Sequence, residues 1–211
     1  MKATLDLTLA AGIAFLAAST LTAQNVIYSE TFRESASNKD PLAAVGWEGL
    51  QGPTGEPVYD GATPAPDTVT YLAINASVDY LFSNEDRVLA YTEAEPFGTT
   101  DPDYTFREIA GVSMDLQNQT STEDLRVAVR IGAEDWYVSD QILNNIAGRA
   151  TVSLDFSTAA WRALKVDPGT SLAIGARATP PGTGKVTAIG FYDDALEDRI
   201  RVHEYSVTAL R

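Results

Sequence analysis

Cysteine is absent from this chain, and histidine occurs once, at His203. Disulfides, thiolate metal sites, iron–sulfur clusters and cysteine nucleophiles are therefore excluded, and so are multi-histidine metal centres. Basic residues are scarce: 15 Lys and Arg stand against 29 Asp and Glu, a net charge of −14. A surface of that sign repels phosphate backbones, so nucleic acid is not an expected partner. Long apolar runs are missing as well. Past the first two dozen residues nothing approaches the roughly 18–20 apolar residues that span a bilayer, so no transmembrane segment is expected in the mature chain. With 45% hydrophobic and 21% charged residues the composition is that of a globular protein rather than a disordered one.

What is present begins with a pattern of export. After Lys2, the stretch from Leu7 to Leu21 is apolar and rich in alanine, and it ends at Leu21-Thr22-Ala23 before Gln24. A short positive start, an apolar stretch of this length and a small residue before the cut describe a secretory signal peptide over residues 1–23. Cleavage is expected after Ala23, which makes the mature protein secreted or periplasmic. Residues 24–211 are then expected to form a single domain.

That domain reads as short alternating runs separated by turn residues. Strands are expected over Val26–Phe32, Thr68–Asn75, Val78–Phe82, Val88–Glu93, Ile109–Leu116 and Leu125–Ile131. Further runs are Trp136–Ser139, Thr151–Phe156, Trp161–Val166, Ser171–Ala176, Lys185–Tyr192 and Arg199–Ala209. In the run from Trp161, alternation sets Trp161, Ala163 and Lys165 on one face, so the indole is either partly exposed or, as the stronger expectation, a core or loop anchor. Only Asp140–Ile146 and Ser157–Trp161 suggest short helices. The fold class is therefore all-β, an antiparallel sandwich of two sheets. The Gly- and Pro-rich segment from Ser35 to Thr70 stands apart as a long loop, with Trp47 serving either as an anchor into the body or as a ligand platform.

Two local readings sharpen this picture. Treating Gly132–Asp135 as a hairpin turn sets Ile131 opposite Trp136, so Trp136 joins the core with Val127 and Val129. Tyr137 then faces outward beside Arg126 and Arg130. An outward aromatic flanked by guanidinium groups can stack on a sugar face while the donors bind hydroxyls. The alternative is that these are ordinary solvated strand residues. In the last strand, Ile200 and Val202 lie in one phase, whereas Tyr205, Val207 and Ala209 lie in the other. A one-residue slip between His203 and Glu204, a β-bulge, reconciles them.

The runs Ile27-Tyr-Ser-Glu-Thr-Phe32, Val129-Arg-Ile-Gly132 with Trp136-Tyr-Val-Ser139, Pro181-Gly182 with Val186-Thr-Ala-Ile-Gly-Phe-Tyr192, and the closing strand together resemble secreted bacterial jelly-roll modules. These are similar to the concanavalin A-like lectin/glucanase class and to carbohydrate-binding jelly rolls. The resemblance implies two antiparallel sheets, adjacent first and last strands, and a face that binds glycans. Where such modules often end in Ile-Asp-Asn-Phe-x-Val, this chain has Val202-His-Glu-Tyr-Ser-Val207, so a calcium site at that position does not carry over.

Catalytic chemistry finds little support. A retaining glycosidase needs two carboxylates about 5 Å apart, and the Glu-x-Asp-x-(x)-Glu strand of the glucanase relatives has no counterpart here. No enzyme activity and no required cofactor are expected. A structural calcium is left open, with Glu30, Asp193 and Asp194 as the oxygen donors. The expected role is a non-catalytic module that binds a polysaccharide or matrix glycan through Arg126, Arg130, Tyr137 and Trp47. The alternatives are a structural or interaction protein of the envelope or matrix with no glycan ligand, and an unrecognised glycan-active enzyme. The sequence does not fix an oligomeric state.

Overall fold

The computed structural model describes residues 24–32, 40–41, 46–51, 59–60, 71–75, 78–83, 88–118, 125–143, 148–167, 171–193 and 200–210. The expected signal peptide and Asp194 lie outside the described residues. In chain order the strands are β1 (Gln24–Glu30), β2 (Asp40–Pro41), β3 (Trp47–Gln51), β4 (Tyr59–Asp60), β5 (Tyr71–Asn75), β6 (Val78–Ser83), β7 (Val88–Thr92) and β8 (Ile109–Asn118). They continue as β9 (Leu125–Ile131), β10 (Asp135–Ser139), β11 (Arg149–Asp155), β12 (Trp161–Asp167), β13 (Ser171–Arg177), β14 (Val186–Asp193) and β15 (Ile200–Leu210).

Two antiparallel sheets result. One runs β11-β8-β15-β6-β5-β2, with β1 also pairing β15; the other runs β13-β12-β10-β9-β14-β7-β3-β4. Their facing sides share one core, in which Val112, Met114 and Val207 of the first sheet meet Val127, Val129, Ile189 and Phe191 of the second. This is an all-β sandwich consistent with a jelly roll, and its first and last strands are adjacent, Gln24 lying opposite Leu210. Among the described residues no helix is long and apolar enough to cross a membrane.

All twelve expected strands form. In β8 the period of two is plain, with Val112, Met114 and Leu116 in the shared core and Ser113 and Asp115 between them only half-buried. In β9, Leu125, Val127, Val129 and Ile131 all join that core. The bulge in β15 also forms. Val202 pairs with Leu116 and Glu204 with Asp115, so His203 is the extra residue, and both Val202 and Tyr205 reach the core. Tyr205 then ties the sheets together, its hydroxyl donating to the Gly190 carbonyl at 3.0 Å.

Several expectations need correction. Residues 140–143 adopt no helix, and Ser157–Trp161 is a turn that leads directly into β12. The expected loop from Ser35 to Thr70 contributes β3 to the second sheet. There Trp47, opposite Thr92, is fully buried between the sheets against Phe32 and Tyr205. Its indole N–H donates to the Tyr28 hydroxyl at 2.8 Å. Trp161 takes the core role rather than the partly exposed one, buried between the sheets.

The hairpin correction has the largest consequence. The β9–β10 turn is Gly132–Glu134, with Gly132 at φ +66° supplying the left-handed residue, and Asp135 already pairs with Ile131. The expected turn is one residue longer. Because side chains alternate strictly along a strand, that single residue exchanges the faces. Tyr137 lies opposite Val129 and packs against the shared core, while Trp136 lies opposite Arg130 on the outer side of the second sheet.

Candidate functional site

The sequence-predicted ligand residues do not gather on one open face. Arg126 and Arg130 project to the outer side of the second sheet with Trp136, whereas Tyr137 and Trp47 point inward. Arg126 donates to the carbonyl oxygens of Ser139 and Asp140 at 2.9 and 2.7 Å, which closes the end of the β9–β10 hairpin. Arg130 is buried, ion-paired to Glu93 at 2.5 Å and hydrogen-bonded to the Thr187 hydroxyl. Its guanidinium carbon stands 5.5 Å from the Trp136 ring centre, and Trp136 meets Tyr91 edge-on at 5.0 Å. Burial and the hydrogen bond that Tyr91 donates to Glu48 at 2.6 Å push the Tyr91 phenol well above its usual range. Burial, aided by Asp135, also raises the Tyr137 phenol.

These groups surround an apolar cluster of Leu89, Ala128, Trp136, Val138, Leu164, Leu172, Ala188 and Tyr192. All of them are buried even though the first sheet packs on the opposite side. The outer side of the second sheet is therefore a second packed layer.

The calcium candidates are equally dispersed. Glu30, on β1 of the first sheet, accepts a hydrogen bond from the Phe32 N–H at 2.6 Å. Asp193 is buried at the end of β14 in the second sheet. Among the described residues no group of three or more His, Asp or Glu side chains converges on a common point.

An open site exists at the end of the sandwich where β1, β8, β11 and β15 meet. A cleft of 480 Å³ lies there, lined by Phe106, Arg107, Ile109, Asp155, Phe156 and Pro180 among others. It adjoins a shallower trough of 280 Å³ over Gly111, Ser113, Ser153 and Thr208. Gln24, Ala110 and Asp155 line both parts. The combined space is in the range of small-ligand sites.

Local chemistry fixes the walls. The 3₁₀ turn Phe106–Glu108 is held by Glu108, whose carboxylate accepts from the Thr105 N–H and hydroxyl at 2.8 and 2.7 Å. Two backbone bonds, Phe106 N–H to the Gly184 carbonyl and Arg107 N–H to the Gly182 carbonyl, zip this turn to the 180–184 loop. Phe106 and Phe156 stack at 5.4 Å, and both meet Trp161 edge-on at 5.3 and 4.9 Å. Asp155 directs Oδ1 to the Ser157 N–H and hydroxyl, at 2.8 and 2.7 Å. In the trough, Gly111 allows β8 and β11 to close, because a Cβ there would collide with the Leu154 carbonyl.

Comparison with protein-family models and with curated proteins finds no match. Function is therefore argued from this geometry.

Sequence reasoning misses the cleft residues for a physical reason: five separate stretches supply them, brought together by the β1–β15–β8–β11 pairing and by the backbone bonds that tie the 3₁₀ turn to the 180–184 loop. One signal is readable. Thr105-Phe-Arg-Glu108 has the spacing of a capping box, which marks a fixed turn carrying an aromatic and a cation between two strands.

Proposed function

We propose that this chain is an exported, non-catalytic β-sandwich module that binds a polysaccharide or matrix glycan in the cleft at the end of its first sheet. The resemblance to concanavalin A-like and carbohydrate-binding jelly rolls supports the class, although fold alone is a weak warrant for function. One observation carries the reading: an open cleft of 480 Å³ sets apolar and aromatic walls beside Arg107, Asp155, Ser157 and Thr179. Such a site offers the C–H face of a sugar ring an apolar surface and its hydroxyls both donors and acceptors. Asp155 is the one carboxylate among the described lining residues, whereas glycoside hydrolysis requires two, so the reading is of binding without cleavage.

The test is affinity electrophoresis of the protein against a panel of soluble polysaccharides, with a reducing-end assay run alongside. At least one polysaccharide should retard the protein without being shortened. Thr179→Trp, which places a large side chain at the exposed cleft wall, should abolish the retardation. Absence of retardation across the panel, or an undiminished effect in Thr179→Trp, overturns the glycan reading. A structural or interaction role without glycan is the second reading; sedimentation showing self-association would support it.

A further inference from the structure

Arg107 differs from every other described cationic side chain. Arg126 is held by two carbonyls, Arg130 by Glu93, Arg149 by Asp115, and Arg162 and Arg177 by Asp140. Lys165 pairs with Asp167, and Lys185 donates to the Asp103 carbonyl. Among the side chains that the structure describes, Arg107 is the one guanidinium with neither an ion-pair nor a hydrogen-bond partner. In a chain with 29 acidic and 15 basic residues, carboxylates are abundant, yet the fold leaves this one guanidinium unused.

The side chain is exposed, while its backbone is anchored. The Arg107 backbone is bonded to Gly182, and a Cβ built at Gly182 would lie 3.4 Å from Nε and 3.5 Å from Nη2. The planar guanidinium thus rests against the 180–184 loop at the cleft wall. Across the same lining, Asp155 commits Oδ1 to Ser157, while Oδ2 takes no hydrogen bond from any described residue. The cleft therefore presents one uncommitted fork of donors and one uncommitted acceptor beside an apolar wall. A bare inorganic anion would satisfy Arg107 but be repelled by Asp155. A neutral sugar would use Asp155 but leave the guanidinium without its preferred oxyanion.

Resting on the glycan reading above, we propose that the cleft recognises a hexuronate residue of an acidic polysaccharide, its carboxylate on Arg107 and a ring hydroxyl donating to Asp155. Both uncommitted groups then find partners on one ring whose C–H face meets the apolar wall. The preference is set by local pairing against the repulsion of an acidic protein, so it is expected to be specific for the carboxylate rather than for negative charge in general.

Calorimetric titration of the full chain with galacturonate, glucuronate and mannuronate trisaccharides, their methyl esters, maltotriose and sodium sulfate tests this. At least one uronate should bind about tenfold or more tightly than its ester, the effect of one charge-assisted contact. Arg107→Ala should remove that difference, and Arg107→Lys should restore only part of it. Arg149→Ala, a substitution outside the cleft lining, is the control and should bind as the parent does. Equal affinity for acid and ester, an unchanged Arg107→Ala, binding of sulfate as strongly as of any uronate, or no uronate binding each overturns the uronate assignment. Binding of maltotriose or of another neutral glycan, blocked by Thr179→Trp, would leave the broader glycan reading standing.

Discussion

The first sheet presents Ser113, Asp115, Thr151, Ser153, Asp155, Glu204 and Thr208 on its outer side, whereas the second presents Leu89, Tyr91, Ala128, Trp136, Val138, Leu164 and Tyr192. A solvated sheet face alternates polar outward with apolar inward, and the described side chains of β8, β11 and β15 obey that rule. The second is apolar on both sides. Its outward charged groups are engaged with one another or with backbone, as in Arg130 with Glu93 and Arg162 and Arg177 with Asp140. The lesson concerns availability. Polar side chains on the second sheet are consumed in holding its outer layer in place, while those at the end of the first sheet keep uncommitted atoms that a ligand can use.

The sharpest way to break this contrast is to remove matching side chains from the two sides. Trp136→Ala deletes an indole packed against Tyr91 and Arg130, and loss of a buried tryptophan costs about 3–5 kcal/mol. Ser153→Ala on the exposed outer side of β11 should change stability by less than about 0.5 kcal/mol. Urea denaturation of both variants measures the difference. If Trp136→Ala costs no more than Ser153→Ala, the outer side of the second sheet is not a packed layer.

A smaller effect sharpens the claim about charged groups. Glu93→Gln leaves Arg130 without its ion-pair partner, though still bonded to Thr187. The Arg130 side chain is 10% exposed and Glu93 30%, which places the pair between a surface bridge and a sealed one. The expected loss is about 1–3 kcal/mol, below the full cost of stranding a sealed charge because Glu93 is partly screened by water. Denaturation at low salt and at about 1 M salt should show the same loss to within about a third, since buried pairs are screened much less than exposed ones. A loss that vanishes in high salt would mark the pair as a surface interaction.

The fold is more legible in the sequence than the site. Alternation in Leu125–Ile131 is legible because one side of the strand faces the shared core, but it does not report the other side, which is also buried in β9 and β14. The bulge at His203 is legible for the same reason: the core demands a phase, and Val202 and Tyr205 violate it unless one residue is extra. What periodicity does not report is turn length. Whether the β9–β10 turn takes three residues or four decides which of Trp136 and Tyr137 points outward, and the residues Gly132-Ala-Glu-Asp135 permit both. Strand β3 is obscured by its Gly- and Pro-rich surroundings, although Trp47 and Gly49 alternate inward with Glu48 and Leu50 outward. The cleft is least legible, since Arg107 and Asp155 become neighbours of one cavity only through pairings between strands distant in sequence.

The mildest expected effect concerns Asp140, where the second sheet spends one carboxylate on two cations. Its oxygens accept from Arg162 Nε at 2.5 Å and from Arg177 Nη2 at 2.6 Å, joining the end of β10 to β12 and β13. Those hydrogen bonds, with the charges behind them, hold the Asp140 carboxyl below the usual carboxylate range. A carboxyl depressed in the folded state adds stability above its unfolded value, near pH 3.9, and loses it as pH falls through the lower folded value. Asp140→Asn should therefore be less stable than the parent at pH 7, and the gap should close on acidification below about pH 4. The partners' exposure, 35% for Arg162 and 73% for Arg177, keeps the effect small and sensitive to salt. Thermal melts of both proteins at about pH 7 and about pH 3, in low salt, measure the gap. A gap that stays the same in acid would show that Asp140 acts through packing rather than charge, and the second sheet's outer polar groups would then not be committed in the way the contrast between the two sheets requires.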